Sequence, residues 1–311
     1  MQKFLAKTIL FCTLLIGILF GLEQILNWQI RRYTDLTIES NTHYIIVGHS
    51  HPATAYQDNI IRETQNLGQP GEASFYTYWR CRAILEANPH IKGVWIEYTN
   101  DNFELIHLER TWGYSYLSSK YSELSPWLGW KDKLWLLSKN PSGIANGIAS
   151  GLKLGVKKVF TNHYSNTSVM GGFTPLKKSK LEDQVKEINS RAELTLKKEY
   201  AIKNIDYIIK LANYCQEKGI PVMLIRSPLH SKYPFSYQEE RVQERKGLEG
   251  IPFLDFARFP LKDNQYSDLG HLHVDGASEF SIWIDSLISI GIWENDNPEE
   301  VVKSLIQTMQ E

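Results

Sequence analysis

The chain is poor in cysteine and almost without net charge. Of its 311 residues only Cys12, Cys81 and Cys215 are cysteines. Three thiols cannot form a dense disulfide framework, their spacing fits no zinc motif, and Cys12 lies inside an apolar run, which leaves only a Cys81 to Cys215 bridge formally open. A formal charge of −1 supplies neither the basic field of a nucleic-acid partner nor an acidic solvating tail. Internal repeats and low-complexity tracts are also missing, and the Lys-rich segments KLGVKKV and LKKSK read as solvated faces. What remains is the composition of an ordinary globular chain, long enough for one catalytic domain with appendages.

The N-terminus carries what the rest lacks, a long run that is both uncharged and apolar. Residues Thr8 to Leu22 hold no charge, and apolar character resumes at Ile25 and Leu26 after Glu23. Crossing a bilayer core as a helix takes about 20 residues, which Leu5 to Leu26 supplies if Lys7 and Glu23 extend toward the two interfaces. Trp28, Arg31 and Arg32 then stand at a headgroup boundary. The following sequence, GLEQILNWQ, offers no small-residue cleavage site, so residues 1–32 read as an uncleaved single-pass anchor in the inner (cytoplasmic) membrane. The competing reading is a buried core helix, against which stands the lack of a polar stripe. Flanking charges are nearly symmetric, and the C-terminal domain is expected outside the cytoplasm.

Beyond the anchor, short apolar runs alternate with helical patterns. Tyr44 to Val47 ends at Gly48, GVWIEYTND covers Gly93 to Asp101, and IPVMLIRSP and IPFLDF follow later. Between them, NLGQPGEASFYTYWRCRAIL and KNIDYIIKLANYCQEKG carry helical spacing, the second ending at Gly219. Strands alternating with helices predict an α/β fold with a mostly parallel sheet. Residues 102–196 interrupt this rhythm with a Trp/Tyr-rich and then Gly/Ser/Lys-rich stretch, read as an insertion over the domain: a packed helical cap, or else a lid or partner surface. The catalytic domain is placed at 43–292 and a helical tail at 293–311.

Ser50 follows the first run directly, in Gly48-His49-Ser50-His51, where a sharp turn presents its hydroxyl at the C-terminal edge of a sheet. A serine hydroxyl needs a base, and Asp268 and His271 stand three residues apart in one loop, so the carboxylate can hold one ring nitrogen and leave the other for Ser50. For an oxyanion, Gly71 in NLGQPG offers a backbone N–H and Asn100 in YTND a side-chain amide, beside the N–H of Ser50. Each of these residues has a bland alternative as a turn or capping residue, and only their combination argues for chemistry.

In that order Ser50, Gly71, Asn100 and Asp268/His271 resemble the four blocks of the SGNH (GDSL-type) hydrolase superfamily. SDLGHLHVDGASEFS also looks like the extended C-terminal block of members that modify cell-envelope polysaccharides, with His273 where asparagine is commoner. Two departures weaken the match: His49 replaces the Asp of GDS, and Tyr98 stands where the third block has glycine. The resemblance implies a three-layer α/β/α domain behind one transmembrane helix. It implies catalysis through acyl-Ser50, with no cofactor, and O-acyl transfer, acetyl by expectation, from a donor to an exported polysaccharide. A membrane-bound O-acyltransferase partner could supply the acyl group.

Three alternatives stay open. The same triad with water as acceptor is a carbohydrate or lipid esterase. A vestigial site would leave an assembly or glycan-binding partner. His49, His51 and His273 enrich the pocket in imidazole and, with Asp268 and His271, could ligate a metal as in a metal-dependent hydrolase, though no metal is expected.

Overall fold

The computed structural model describes residues 1–161, 169–190, 202–233 and 239–311, so parts of the expected insertion, 162–168 and 191–196, lie outside the described residues. In chain order the elements are α1 (Gln2–Tyr33), β1 (Tyr44–Val47), α2 (Ser50–Ala55), β2 (Thr64–Asn66), α3 (Ser74–Ala87) and β3 (Gly93–Glu97). Next come α4 (Leu105–Glu109), α5 (Tyr114–Leu124), α6 (Trp130–Lys139), α7 (Pro141–Thr161) and α8 (Leu181–Ser190). The chain ends with α9 (Ile202–Glu217), β4 (Val222–Arg226), α10 (Glu239–Glu244), β5 (Phe253–Asp255), α11 (Val274–Ser289) and α12 (Pro298–Gln310). Two compact units result: Met1–Asp35 with Thr111–Val169, and Leu36–Arg110 with Met170–Glu311.

The larger unit is built on five parallel strands in the order β2-β1-β3-β4-β5. One sheet face presents Ile46, Trp95, Met223, Ile225 and Leu254 to Phe280 and Ile284 of α11 and to Val302 and Ile306 of α12. The alternate residues Ile45, Val47, Val94, Ile96 and Leu224 are equally buried, so both faces are covered and the strands read as continuous apolar runs. β2 is the exception, three largely polar residues at the sheet edge. Because the chain proceeds from β1 to β2 on one side and to β3 on the other, the sheet has its switch point beside β1. That is where open α/β sheets place ligands, at the carboxyl ends of the strands, and Ser50 emerges there.

The smaller unit consists of α1, α5, α6 and α7. Its organising feature is Gly143, Gly147, Gly151 and Gly155, spaced by four along α7 and therefore on one face of the helix. A Cβ at Gly143 would come within 2.9 Å of Leu117, and one at Gly147 within 2.9 Å of Tyr121, both on α5. At Gly151 and Gly155 it would collide with Leu26 and Gln29 of α1. The missing side chains thus let α7 lie close to both neighbours. α1 is long and apolar enough to cross a membrane, while its Leu26 and Ile30 are fully buried.

Candidate active site

The turn after β1 is shaped by a close approach. Gly48 has φ +152°, and a Cβ there would lie 2.5 Å from the Cβ of Glu97 at the end of β3, so glycine alone lets the chain turn there. His49 then caps α2, and Ser50 is the first helical residue.

Across from it, the Asp268 to His271 loop is tied on several sides. The N–H groups of Ser267 and Asp268 donate to the carbonyl of His271 at 2.9 and 3.3 Å, closing the loop on itself. Leu269 N–H donates to Gln184 Oε1 at 3.0 Å, and its carbonyl accepts from His230 N–H at 3.0 Å. Ser267 Oγ donates to the carbonyl of Lys178 at 2.7 Å. These ties fix the imidazole with Nδ1 2.8 Å from Asp268 Oδ1 and Nε2 2.8 Å from Ser50 Oγ. A carboxylate facing Nδ1 keeps the proton on that nitrogen, so Nε2 accepts from the serine hydroxyl. Burial works against the Asp268 charge, but His271 and the N–H of Gly270 outweigh it and hold the carboxyl below its ordinary range.

Gly71 lies in a turn from Gln69 to Glu72, closed by Glu72 N–H donating to Gln69 carbonyl at 3.1 Å, with Pro70 second and Gly71 third at φ +73°. This is the geometry of a type II turn, which favours glycine at that place. Gln69 N–H donates to Gly48 carbonyl at 3.0 Å, so the turn is pinned to the residue two before Ser50.

Asn100 is held by charged neighbours. Its Nδ2 donates to Glu239 Oε2 at 3.2 Å, and Arg226 Nη1 donates to its Oδ1 at 3.4 Å. Arg226 is buried at the end of β4 and is satisfied by Glu239 and Asp255, and Asn100 is drawn into this charged group. These contacts use one of the two N–H groups of the carboxamide. His273 caps α11, with Nδ1 accepting from Asp275 N–H at 3.3 Å and lying 3.2 Å from the Asp275 carboxylate.

The sequence reading missed two features. Asn66, buried at the end of β2, donates to the carbonyls of Pro52 and Tyr56 at 2.8 and 2.7 Å and accepts from Gly68 N–H at 2.8 Å, locking α2 to the loop that carries Gly71. Its signal was only a polar residue before a glycine. The second is a buried charge network beside the triad. His51 lies between Glu97 and Asp101, each 3.5 Å away, and packs edge-on at 5.2 Å against His271. Glu97 is itself held by the N–H and hydroxyl of Ser227 at 3.1 and 2.7 Å, and Asp101 accepts from Tyr233 at 2.7 Å. Burial disfavours charge on His51, yet these carboxylates prevail and raise its pKa, whereas His49, buried beside other imidazoles, is pushed well below the ordinary value. Burial likewise opposes the Asp101 charge, but His51, His49, His107 and Tyr233 hold it far below the usual carboxylate range.

Two groups among the described residues could hold a cation by proximity, His49/His51/Asp101 and Asp101/Glu104/His107. His49 Nδ1, however, accepts from the N–H of His51 at 3.4 Å. Asp101 is common to both groups and also accepts from Tyr233, so the same side chains make up the charge network.

No family model matches this sequence, and no curated protein does. Solved structures do. A candidate platelet activating factor protein from Streptococcus pneumonia covers 90% of this chain and 98% of its own, with 11% identity and a TM-score of 0.38. A GDSL-like lipase from Bacteroides thetaiotaomicron covers 85% and 97% at 10% identity and TM-score 0.36. A candidate acylhydrolase from Bacteroides fragilis covers 91% and 96% at 10% and 0.37. Likeness this loose carries no argument about chemistry, which rests on the side chains described above.

Proposed function

We propose that this chain is an SGNH-type serine acyltransferase or esterase working through an acyl-Ser50 intermediate. One observation carries the reading: the continuous Ser50, His271, Asp268 chain, with both contacts at 2.8 Å. In this mechanism His271 removes the Ser50 proton as Oγ attacks the acyl carbonyl, Asp268 stabilises the imidazolium, and His271 then returns the proton to the leaving group. The backbone N–H groups of Ser50 and Gly71, with the second amide N–H of Asn100, are the oxyanion donors of this reading.

The acceptor decides the reaction. Transfer to a hydroxyl of an exported envelope polysaccharide is favoured by the membrane-length α1 and by the resemblance of SDLGHLHVDGASEFS to polysaccharide-modifying relatives. On this reading the protein sits in the inner membrane with its catalytic unit outside, beside a membrane-bound partner that supplies acyl groups. Hydrolysis is favoured by the partial exposure of His271, which gives water a path to the acyl-enzyme. Purified protein incubated with an activated acetyl ester and oligosaccharides separates the two: acetylated sugar supports transfer, and free acetate alone supports the esterase. Ser50→Ala should abolish either product.

A further inference from the structure

The smaller unit fixes how deep α1 can sit in a membrane. Glu23 Oε1 of α1 accepts from Tyr121 Oη of α5 at 2.8 Å and pairs with Lys133 Nζ of α6 at 2.5 Å. Four residues on, Asn27 Oδ1 accepts from Ser125 Oγ at 2.7 Å, and Arg31 donates to the carbonyl of Pro126 at 2.8 Å. Leu26 and Ile30 are sealed by protein. From Glu23 onward one face of α1 is therefore held by the bundle, with Ile25 and Trp28 exposed on the other, and as far as Gly21 the helix is exposed all round. The residues from Phe4 to Phe20 are exposed and, apart from Lys7, Thr8 and Thr13, apolar. At about 1.5 Å per residue, Phe4 to Leu22 spans roughly 28 Å, close to a hydrocarbon core of about 30 Å.

The same contacts orient the other helices. Moving up α1 from Glu23 to Arg31 moves from Tyr121 on α5 to Ser125 and Pro126 just past its end, so the two run parallel and the N-terminal end of α5 points toward the apolar part of α1. The end of α6 lies there too, because Trp135 packs edge-on against Trp112 at 5.6 Å and Asn140 donates to the carbonyl of Trp112 at 2.9 Å. Tyr116 lies five residues before Tyr121 and Leu137 four after Lys133, which places both about 6–8 Å below the level of Glu23. Both are exposed, at 40% and 46%. Lys139 stands over the Trp112 ring at 5.2 Å. Aromatic rings with a lysine at the edge of a hydrocarbon slab form an interfacial belt.

We propose that this end of the bundle, carrying Trp112, Tyr116, Trp135, Leu137 and Lys139, is a lipid-binding surface seated in the headgroup layer of the bilayer that α1 enters. The proposal rests on α1 crossing a membrane. It moves the water boundary from the Leu26 expected from sequence to Glu23, and makes residues 111–161 part of a membrane-seated stalk.

Spin labels with oxygen and nickel accessibility measure this depth in the full-length protein reconstituted in phosphatidylcholine/phosphatidylglycerol nanodiscs. Cys12, native and exposed on α1, reports on the anchor. Tyr116→Cys and Leu137→Cys, each in a Cys12→Ser background, report on the seat, and Trp130→Cys, on the opposite end of α6 and 67% exposed, on the far end. The expected result is Cys12 in hydrocarbon, positions 116 and 137 at headgroup depth, and 130 in water. Cys12 in hydrocarbon with 116 and 137 as water-accessible as 130 would overturn the seat and leave the anchor standing. Cys12 in water would overturn both.

Discussion

His271 Nε2 and Ser50 Oγ, 221 residues apart in sequence, lie 2.8 Å apart at the carboxyl edge of the sheet. The parallel order of strands produces this contact: β1 delivers Ser50 to the switch point, and the loop after β5 returns His271 to the same edge.

If Asp268 acts by fixing the tautomer of His271, Asp268→Asn should leave the fold intact and lower kcat by about 10³–10⁴, with a much smaller effect on KM. Steady-state kinetics on a soluble acetyl ester, with circular dichroism as the folding control, checks this. A loss under tenfold would mean the Asp268 contact with Nδ1 does not set the tautomer.

Gly48 has no room for a side chain. Gly48→Ala places a methyl 2.5 Å from Glu97 Cβ at a φ of +152°, and should cost on the order of 2–4 kcal/mol in urea unfolding, since strain and overpacking combine. Gly219, also at positive φ but with open space around it, should tolerate alanine at about 1 kcal/mol.

His273→Ala tests the placement of that residue. A capping histidine should cost about 0.5–2 kcal/mol of stability and leave kcat unchanged. A large fall in kcat at full stability would place His273 in the pocket as well.

The acid limb of stability follows from Asp101 and Asp268, both depressed in the folded state. A carboxyl with a depressed folded pKa stabilises the protein above its unfolded value, near 4, and that contribution is lost as pH falls through the folded pKa. Denaturation midpoints should therefore drop steadily below about pH 5. Asp101→Asn should flatten that drop while lowering stability at pH 7, and an unchanged slope in the variant would contradict the network.

The fold was legible where apolar runs were long enough. Tyr44 to Val47, Gly93 to Glu97 and Val222 to Arg226 stand out because parallel strands bury both faces; β2, with Thr64, Gln65 and Asn66 at the edge, lacks that signal. Asp268 and His271 were readable because their contact is local. The partners of Asn100 were not readable, because Arg226 lies 126 residues away in sequence. The network of His51, Glu97 and Asp101 also depends on β1 and β3 pairing, although the histidines flanking Ser50 hinted at it. The glycines of α7 read only as part of a Gly/Ser/Lys-rich insertion, and their spacing of four marks the helix face that α1 and α5 occupy.

Trapping the acyl-enzyme tests the central claim most directly. Intact-mass spectrometry of full-length protein treated with a fluorophosphonate ester, followed by peptide mapping, should show one adduct on Ser50, with none on Ser50→Ala and a strongly slowed reaction in His271→Ala. Turnover of an acyl ester by Ser50→Ala at the wild-type rate, or an adduct mapping to another residue, would contradict it.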